Sequence, residues 1–456
     1  MSNISARLDR LPITSLHRIA LAALAFGFFF ELGDLNSFAF AAPAIIRVWH
    51  IPVRDVALIT SASFGGMFLG GVGGGRFADR IGRKRGFIGA VLVYAVFSLL
   101  NALSWNVATL AIFRFLTGVG LGGMTVIANT YVSEVFPAAK RGRYLGFAVT
   151  VGLIGIPATA WVARFVVPLA DWGWRLVFVW GALGVFAIPI AARMAESPRW
   201  LQRRGEQERA EAETRRLEVV AEAEHGRLPA PTEAPDAELL PAASLRHLLT
   251  PRQFGRTFML VVVWIFQTWG FNGFVSWAPT LLVEHGISLI HTLEYASLIA
   301  VCNPLGALIA ANLVDRVERR WFIVVNALVI AVCGVLYGAT FDPPLIVVFG
   351  GLVVMASQAM AVALYTYTPE LFPTDVRSSG MGLTYGVGRL ANVVGPLIIG
   401  AIFVSSGYLS VFLFTSVCWL FVAATIAIFG ISTTGRPLEA LTTERKEAMT
   451  MNGRKP

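Results

Sequence analysis

One polar signature is written twice in this chain. Gly70, Asp79, Arg80, Arg83, Tyr131, Glu134, Phe136, Pro137, Arg141 and Gly146 recur as Gly306, Asp315, Arg316, Arg319, Tyr367, Glu370, Phe372, Pro373, Arg377 and Gly382, every pair 236 positions apart. An offset held without insertion over such a distance means two structurally equivalent halves. Where the intervening stretches are apolar, internal symmetry of this kind points to a membrane transporter.

The intervening stretches are apolar. With 56% hydrophobic and 14% charged residues and a mean hydropathy of +0.66 over 456 residues, the chain carries more apolar surface than a soluble core can bury. Crossing a hydrocarbon layer of ~30 Å takes about 20 helical residues. Suitable runs lie near 18–46, 55–78, 87–104, 107–133, 143–168 and 174–193, then near 256–283, 292–314, 321–340, 344–366, 378–404 and 408–430. The 44 glycines suit helices packed closely in lipid, and the runs lack the alternation of a barrel strand. The expected fold is an all-α membrane protein with twelve transmembrane helices. Two six-helix halves, 1–195 and 256–433, flank a linker at 196–255, and a tail follows at 434–456.

Lysine and arginine set the orientation. One set of loops, together with both termini, holds 31 of the 37; the alternate loops hold Arg47, Arg54, Arg164 and Arg175. Both termini are therefore expected on the cytoplasmic side of a bacterial inner membrane. The net charge of +9 reflects this bias and attraction to anionic lipid rather than nucleic-acid binding. The first apolar run is too long for a cleavable signal peptide and lacks a small-residue cleavage site. In the linker, 202–224 is rich in Glu, Arg and Ala, and 228–241 holds four prolines. These read as a charged surface helix and a Pro-rich connection, with a short helix near 244–249. Cys302, Cys333 and Cys418 sit in apolar runs without ligand spacing and read as small buried hydrophobes. No cofactor or metal is expected, and the chain is expected to act as a monomer.

A charge census locates the chemistry. Of 28 acidic residues, only Glu31 and Asp34 fall in the middle of an apolar run, and all six histidines lie at run ends or in loops. A charge in the bilayer costs at least ~2.5–3.5 kcal/mol on insertion scales, so it is usually functional and paired. Glu31 and Asp34, spaced i, i+3, share a helix face and are the candidate proton carriers; the alternative is a structural pair neutralised by an arginine. Arg114 in the fourth run and Arg389 in the eleventh are their counterparts. A guanidinium fork suits a carboxylate, and one of the two, Arg389 by preference, is expected to meet an anionic substrate. Arg114 is open equally to a structural or relay role. The seventh run adds Gln267, Asn272 and Trp277 among further aromatics, a mixture suited to a planar or ring-bearing polar metabolite. Trp269 and Trp277 can alternatively form an interfacial belt.

The loop Gly75-Arg-Phe-Ala-Asp-Arg-Ile-Gly-Arg-Lys-Arg85 resembles the signature of the major facilitator superfamily. Arg114-Phe-Leu-Thr-Gly118 supports the resemblance, as do Glu196-Ser-Pro-Arg-Trp-Leu201 and Pro369-Glu-Leu-Phe-Pro-Thr-Asp-Val-Arg377, which look like the sugar-porter and organic-acid-porter branches. The second copy of the loop carries Glu318 where the first has Gly82, so the same tight turn is not expected there. Glu31-x-x-Asp34 resembles the D-G-x-D of aromatic acid:proton symporters, with Glu and Leu32 replacing the first Asp and the Gly. Gln267, Asn272 and Pro279-Thr280 are similar to sugar porters, yet 148–157 lacks the amide those porters generally bring.

The resemblance implies a secondary active transporter working by alternating access, a proton-coupled symporter of a small organic acid. A proton-coupled sugar or polyol porter is the alternative, ahead of a multidrug or metabolite exporter and a non-transporting nutrient receptor. Enzyme chemistry is not expected, because no Ser–His pair, metal cluster or phosphate loop is present. Asp79, Arg80, Arg83, Glu134 and Arg141, with their repeats Asp315, Arg316, Glu370 and Arg377, read either as an inner-face latch that holds while the site opens outward or as anchors for their loops.

Overall fold

The computed structural model describes residues 4–231, 250–314, 316–372 and 377–433. Asp315, the short helix expected near 244–249, the tail and the Arg377 side chain lie outside what is described. Regular structure among the described residues is helical, and twelve helical segments are long and apolar enough to cross a membrane. By contact the chain divides into two units, 1–236 with 282–297 and 237–281 with 298–456.

In chain order the helices are α1 (Ile4–Asp9), α2 (Ser15–Trp49), α3 (Val53–Ile81), α4 (Arg83–Ala102), α5 (Val107–Val135), α6 (Arg141–Val166), α7 (Trp174–Ala182), α8 (Ala187–Ala191), α9 (Pro198–Arg203) and α10 (Gln207–His225). There follow α11 (Pro251–Val275), α12 (Ala278–Glu284), α13 (Leu289–Ala300), α14 (Cys302–Leu313), α15 (Arg319–Ala339), α16 (Pro343–Glu370), α17 (Arg377–Ser406) and α18 (Tyr408–Phe429). Three apolar runs that read as single helices are interrupted: 256–283 parts into α11 and α12 just before Pro279, and the other two also break beside a proline. Pro304 cannot donate to the Ala300 carbonyl four residues back, so α13 stops and α14 restarts; the Asn303 side chain donates to that carbonyl instead, at 2.9 Å. Pro189 likewise follows a 3-10 turn at Leu183–Phe186 between α7 and α8.

The repeat has a physical basis. In the first unit α3 and α4 pack on α5, α2 on α6 and α4 on α7; in the second, α14 and α15 pack on α16, α11 on α17 and α15 on α18. A Cβ on Gly70 would meet the Val119 carbonyl oxygen at 2.1 Å, and one on Gly306 the Met355 carbonyl oxygen at 2.1 Å. Only glycine lets these backbones touch. The Tyr131 hydroxyl donates to the Ala195 carbonyl at 2.9 Å, and the Tyr367 hydroxyl to the Ile431 carbonyl at 2.9 Å. Arg83 pairs with Glu134 at 3.0 Å, Arg319 with Glu370 at 3.3 Å.

The two loop copies part at their turn. Gly82 has φ 106°, and a Cβ there would fall 2.4 Å from a Glu196 carboxylate oxygen. That carboxylate accepts the Arg83 and Lys84 backbone N–H groups at 2.8 and 3.1 Å, capping α4. Glu318 instead has φ −60°, open to any residue, and its carboxylate accepts the Thr433 N–H at 3.1 Å.

Ile4, Leu8 and Leu11, ahead of the first candidate span, and Leu16 at its start bury against Trp200, Leu201, Ala210, Leu217 and Ala221. Charge surrounds this small core. Arg7 and Arg10 grip Glu218 at 2.5 and 2.6 Å, and Asp9 accepts from Arg141 and Arg199. Glu224 accepts the Ser15 N–H at 2.9 Å, placing a negative charge at the N-terminus of α2. The hydrogen bond from Arg7 holds the Glu218 carboxyl below its ordinary value, partly offset by burial.

Candidate functional site

Buried polar groups gather within each unit. In the first, Asp34 of α2 is 0% exposed and Arg114 of α5 is 2% exposed, and they pair at 3.1 Å. Arg114 is held from three sides. Its Nη1 also donates to the Asp34 backbone carbonyl and to Ser37 Oγ, each at 3.3 Å, and its Nε donates to Ser63 Oγ of α3 at 3.1 Å. The rings of Phe38 and Phe178 lie 5.9 and 5.8 Å from its guanidinium carbon. Ser98 of α4 donates to Asp34 Oδ1 at 2.6 Å. Gly181 makes room for this: a Cβ there would stand 2.1 Å from Asp34 Oδ1.

Glu31, one turn earlier on α2 and also buried, accepts from the Thr125 hydroxyl of α5. Serine and threonine mid-helix are unremarkable in sequence, so no local signal marked Ser63, Ser98 or Thr125.

In the second unit the polar residues lie where α11 meets α17. Asn272 Nδ2 donates to Asn392 Oδ1 at 2.7 Å and to the Thr268 carbonyl at 3.3 Å. Gln267, on the same helix, is buried, and Trp269 donates to the Ala391 carbonyl at 2.9 Å. One turn from Asn392, Arg389 donates its Nε to the Tyr385 hydroxyl at 2.7 Å, with its guanidinium carbon 4.9 Å from the Tyr385 ring centroid. Tyr385 completes a three-ring group with Trp264 and Tyr365, their centroids 5.2 to 5.7 Å apart. Trp277 stands apart, past the end of α11; it is buried, and its indole N–H has no hydrogen-bond partner among the described residues. Tyr385 and Asn392 went unremarked in sequence, although spacings of i, i+4 and i+3 from Arg389 tie them to its helix face. Tyr365 and Trp264, on other helices, carry no such signal.

The loop charges form their own network. Arg83 donates Nε and Nη2 to Glu134 at 3.0 Å and Nη1 to Asp79 at 2.6 Å. Ser197 donates to Glu134 at 2.7 Å, and Arg203 pairs with the same carboxylate. Arg141 reaches the Phe136 carbonyl at 2.8 Å. Arg80 and Arg316 are exposed.

Chemically, the first unit offers a buried carboxylate paired with a buried guanidinium. The second offers a guanidinium beside aromatic faces and amides.

The family described as "Sugar (and other) transporter" matches residues 25–444. YyaJ of Bacillus subtilis, named by inference a metabolite transport protein, is 45% identical over 96% of this chain and 97% of its own length. The niacin transporter NiaP of Acinetobacter baylyi is 30% identical over 96% of this chain and 99% of its own. A partially occluded, inward-open structure of the xylose transporter XylE from E. coli superposes with a TM-score of 0.73 at 21% identity, covering 92% of this chain and 99% of XylE.

Proposed function

This chain belongs to the sugar (and other) transporter family of the major facilitator superfamily, and from that membership we propose that it is a symporter carrying a small aromatic monocarboxylate into the cell together with a proton. That it is a multi-pass membrane transporter of small molecules follows from the family and the twelve spans. The coupling ion, the substrate class, a monomeric state and placement in the inner membrane with cytoplasmic termini form the proposal.

The Asp34–Arg114 pair carries the coupling reading, being the most deeply buried ion pair among the described residues. Isolated in the interior, either charge is expensive; together they persist, and protonating Asp34 releases the guanidinium to other acceptors. One proton thus bears on contacts that join α2, α3, α4 and α5. For the substrate, Arg389 beside Tyr385, Tyr365 and Trp264 supports a planar ring bearing a carboxylate. NiaP, named for niacin, a pyridine carboxylate, supports the same class. A second reading, a sugar or polyol porter, rests on the amides Gln267, Asn272 and Asn392.

The test is uptake into reconstituted vesicles of radiolabelled niacin, benzoate and xylose under an acid-outside gradient, with and without uncoupler. Accumulation of an aromatic carboxylate that collapses with uncoupler, and that Asp34→Asn reduces to exchange alone, is expected. Accumulation of xylose only would move the second reading ahead, and uptake indifferent to the gradient would remove the proton.

A further inference from the structure

Ser98 sits between two acceptors with one proton to give. Its Oγ is 2.6 Å from Asp34 Oδ1 and 3.0 Å from the Phe178 backbone carbonyl of α7, and it is fully buried. A serine hydroxyl can donate only once at a time, though it can accept as well. With Asp34 ionised, the shorter, charge-assisted bond to the carboxylate is the stronger, and the Phe178 carbonyl goes without.

We propose that Ser98 is the positioning residue that converts protonation of Asp34 into a change of contact on α7. This rests on Asp34 being the proton carrier. When Asp34 takes a proton on Oδ1, that oxygen becomes the donor and Ser98 Oγ its acceptor; the Ser98 hydrogen turns to the Phe178 carbonyl. One proton is added at the carboxyl, none is lost, and α4 gains a hydrogen bond to α7. Gly181 and Gly184, one and two turns from Phe178, permit the geometry: a Cβ on the first would lie 2.9 Å from Ser98 Oγ, and one on the second 1.4 Å from the Tyr94 hydroxyl.

The other ionisable groups around Asp34 leave this role to Ser98. Arg114 of α5 binds the opposite carboxylate oxygen. Tyr94, on α4 with Ser98, has no hydrogen-bond partner for its hydroxyl among the described residues. Glu31 of α2 is bonded to Thr125. Arg175 of α7 has its guanidinium held by the Ala102 and Ser104 carbonyls, one turn and more beyond Ser98 at the C-terminal end of α4.

The test is infrared difference spectroscopy of the full chain in lipid, titrated between acid and alkaline pH, needing no substrate. The wild type should show a protonated-carboxyl band that Asp34→Asn lacks. In Ser98→Ala that band should half-develop at higher pH, with proton affinity about tenfold greater, because the ionised form has lost its shortest donor. Ser98→Thr, which keeps the hydroxyl, should titrate as wild type. A wild-type band absent, or shared by Asp34→Asn, overturns the proton-carrier reading. A band present but titrating identically in Ser98→Ala overturns the role of Ser98 alone. If the alanine protein does not fold, a threonine protein titrating unlike wild type overturns it.

Discussion

Tyr385, one helical turn away, engages the Arg389 guanidinium through both its hydroxyl and its ring. If that fork binds a substrate carboxylate, Arg389→Lys keeps the charge but loses the second hydrogen bond, and affinity should fall about tenfold. Arg389→Ala should cost roughly 1.5–3 kcal/mol. Esterifying the substrate should weaken wild-type binding similarly and the alanine variant much less, since both changes remove one interaction. Additive losses in a binding assay would show that Arg389 does not touch the carboxylate. Arg389 and Asp34 stood out in sequence because an ionisable residue in an apolar run is costly wherever it points. Their uncharged partners did not. A serine such as Ser98 can bond its own helix, so its presence mid-span says nothing until a residue 64 positions away is brought to it.

At the scale of helices, the twelve spans were legible because hydropathy is a local sum, and the repeat because its members are collinear. The breaks at Pro304 and Pro189 needed the carbonyl four residues back to be considered. The docking of α1 was hidden, since six residues give too little periodicity to read. Gly70 and Gly306 make a matched experiment. Either substitution to Ala should destabilise its unit by about 1–3 kcal/mol through overpacking, because the new methyl meets backbone that cannot rotate away. Equal melting temperatures in wild type and both variants would refute this contact. The docking of α1 is also pH-dependent. Glu218 in the folded chain titrates below its ordinary value of 4.5, so its contribution is complete above that pH and disappears as acid titrates the folded carboxylate. Hydrogen exchange at residues 4–11 should accelerate as the pH falls below 4.5 and through the lowered folded value, and Glu218→Gln should show that faster exchange already at neutral pH. Unchanged protection in the glutamine variant would discard the clamp.

For the whole molecule, the proposed function divides the chemistry between the two six-helix halves, with the candidate proton site in the first unit and the candidate anion site in the second. We propose that Asp79, gripped by Arg83, biases the exchange between states open to either side. Asp79→Asn should then slow transport with little change in affinity, and cysteine accessibility from the two sides should shift. Impaired turnover with unshifted accessibility would discard that role. That Asp34, Arg114, Ser63 and Ser98 all belong to the first unit also matters while the chain is being made. At about 5–20 residues per second, translating residues 250–456 occupies the ribosome for roughly ten to forty seconds after these four residues have been made. During that interval the buried carboxylate already has its guanidinium, so a nascent chain halted at residue 231 should insert and resist protease. The same nascent chain with Arg114→Ala, left with an unpaired acid in the bilayer, should be handed to membrane quality control before its second half exists.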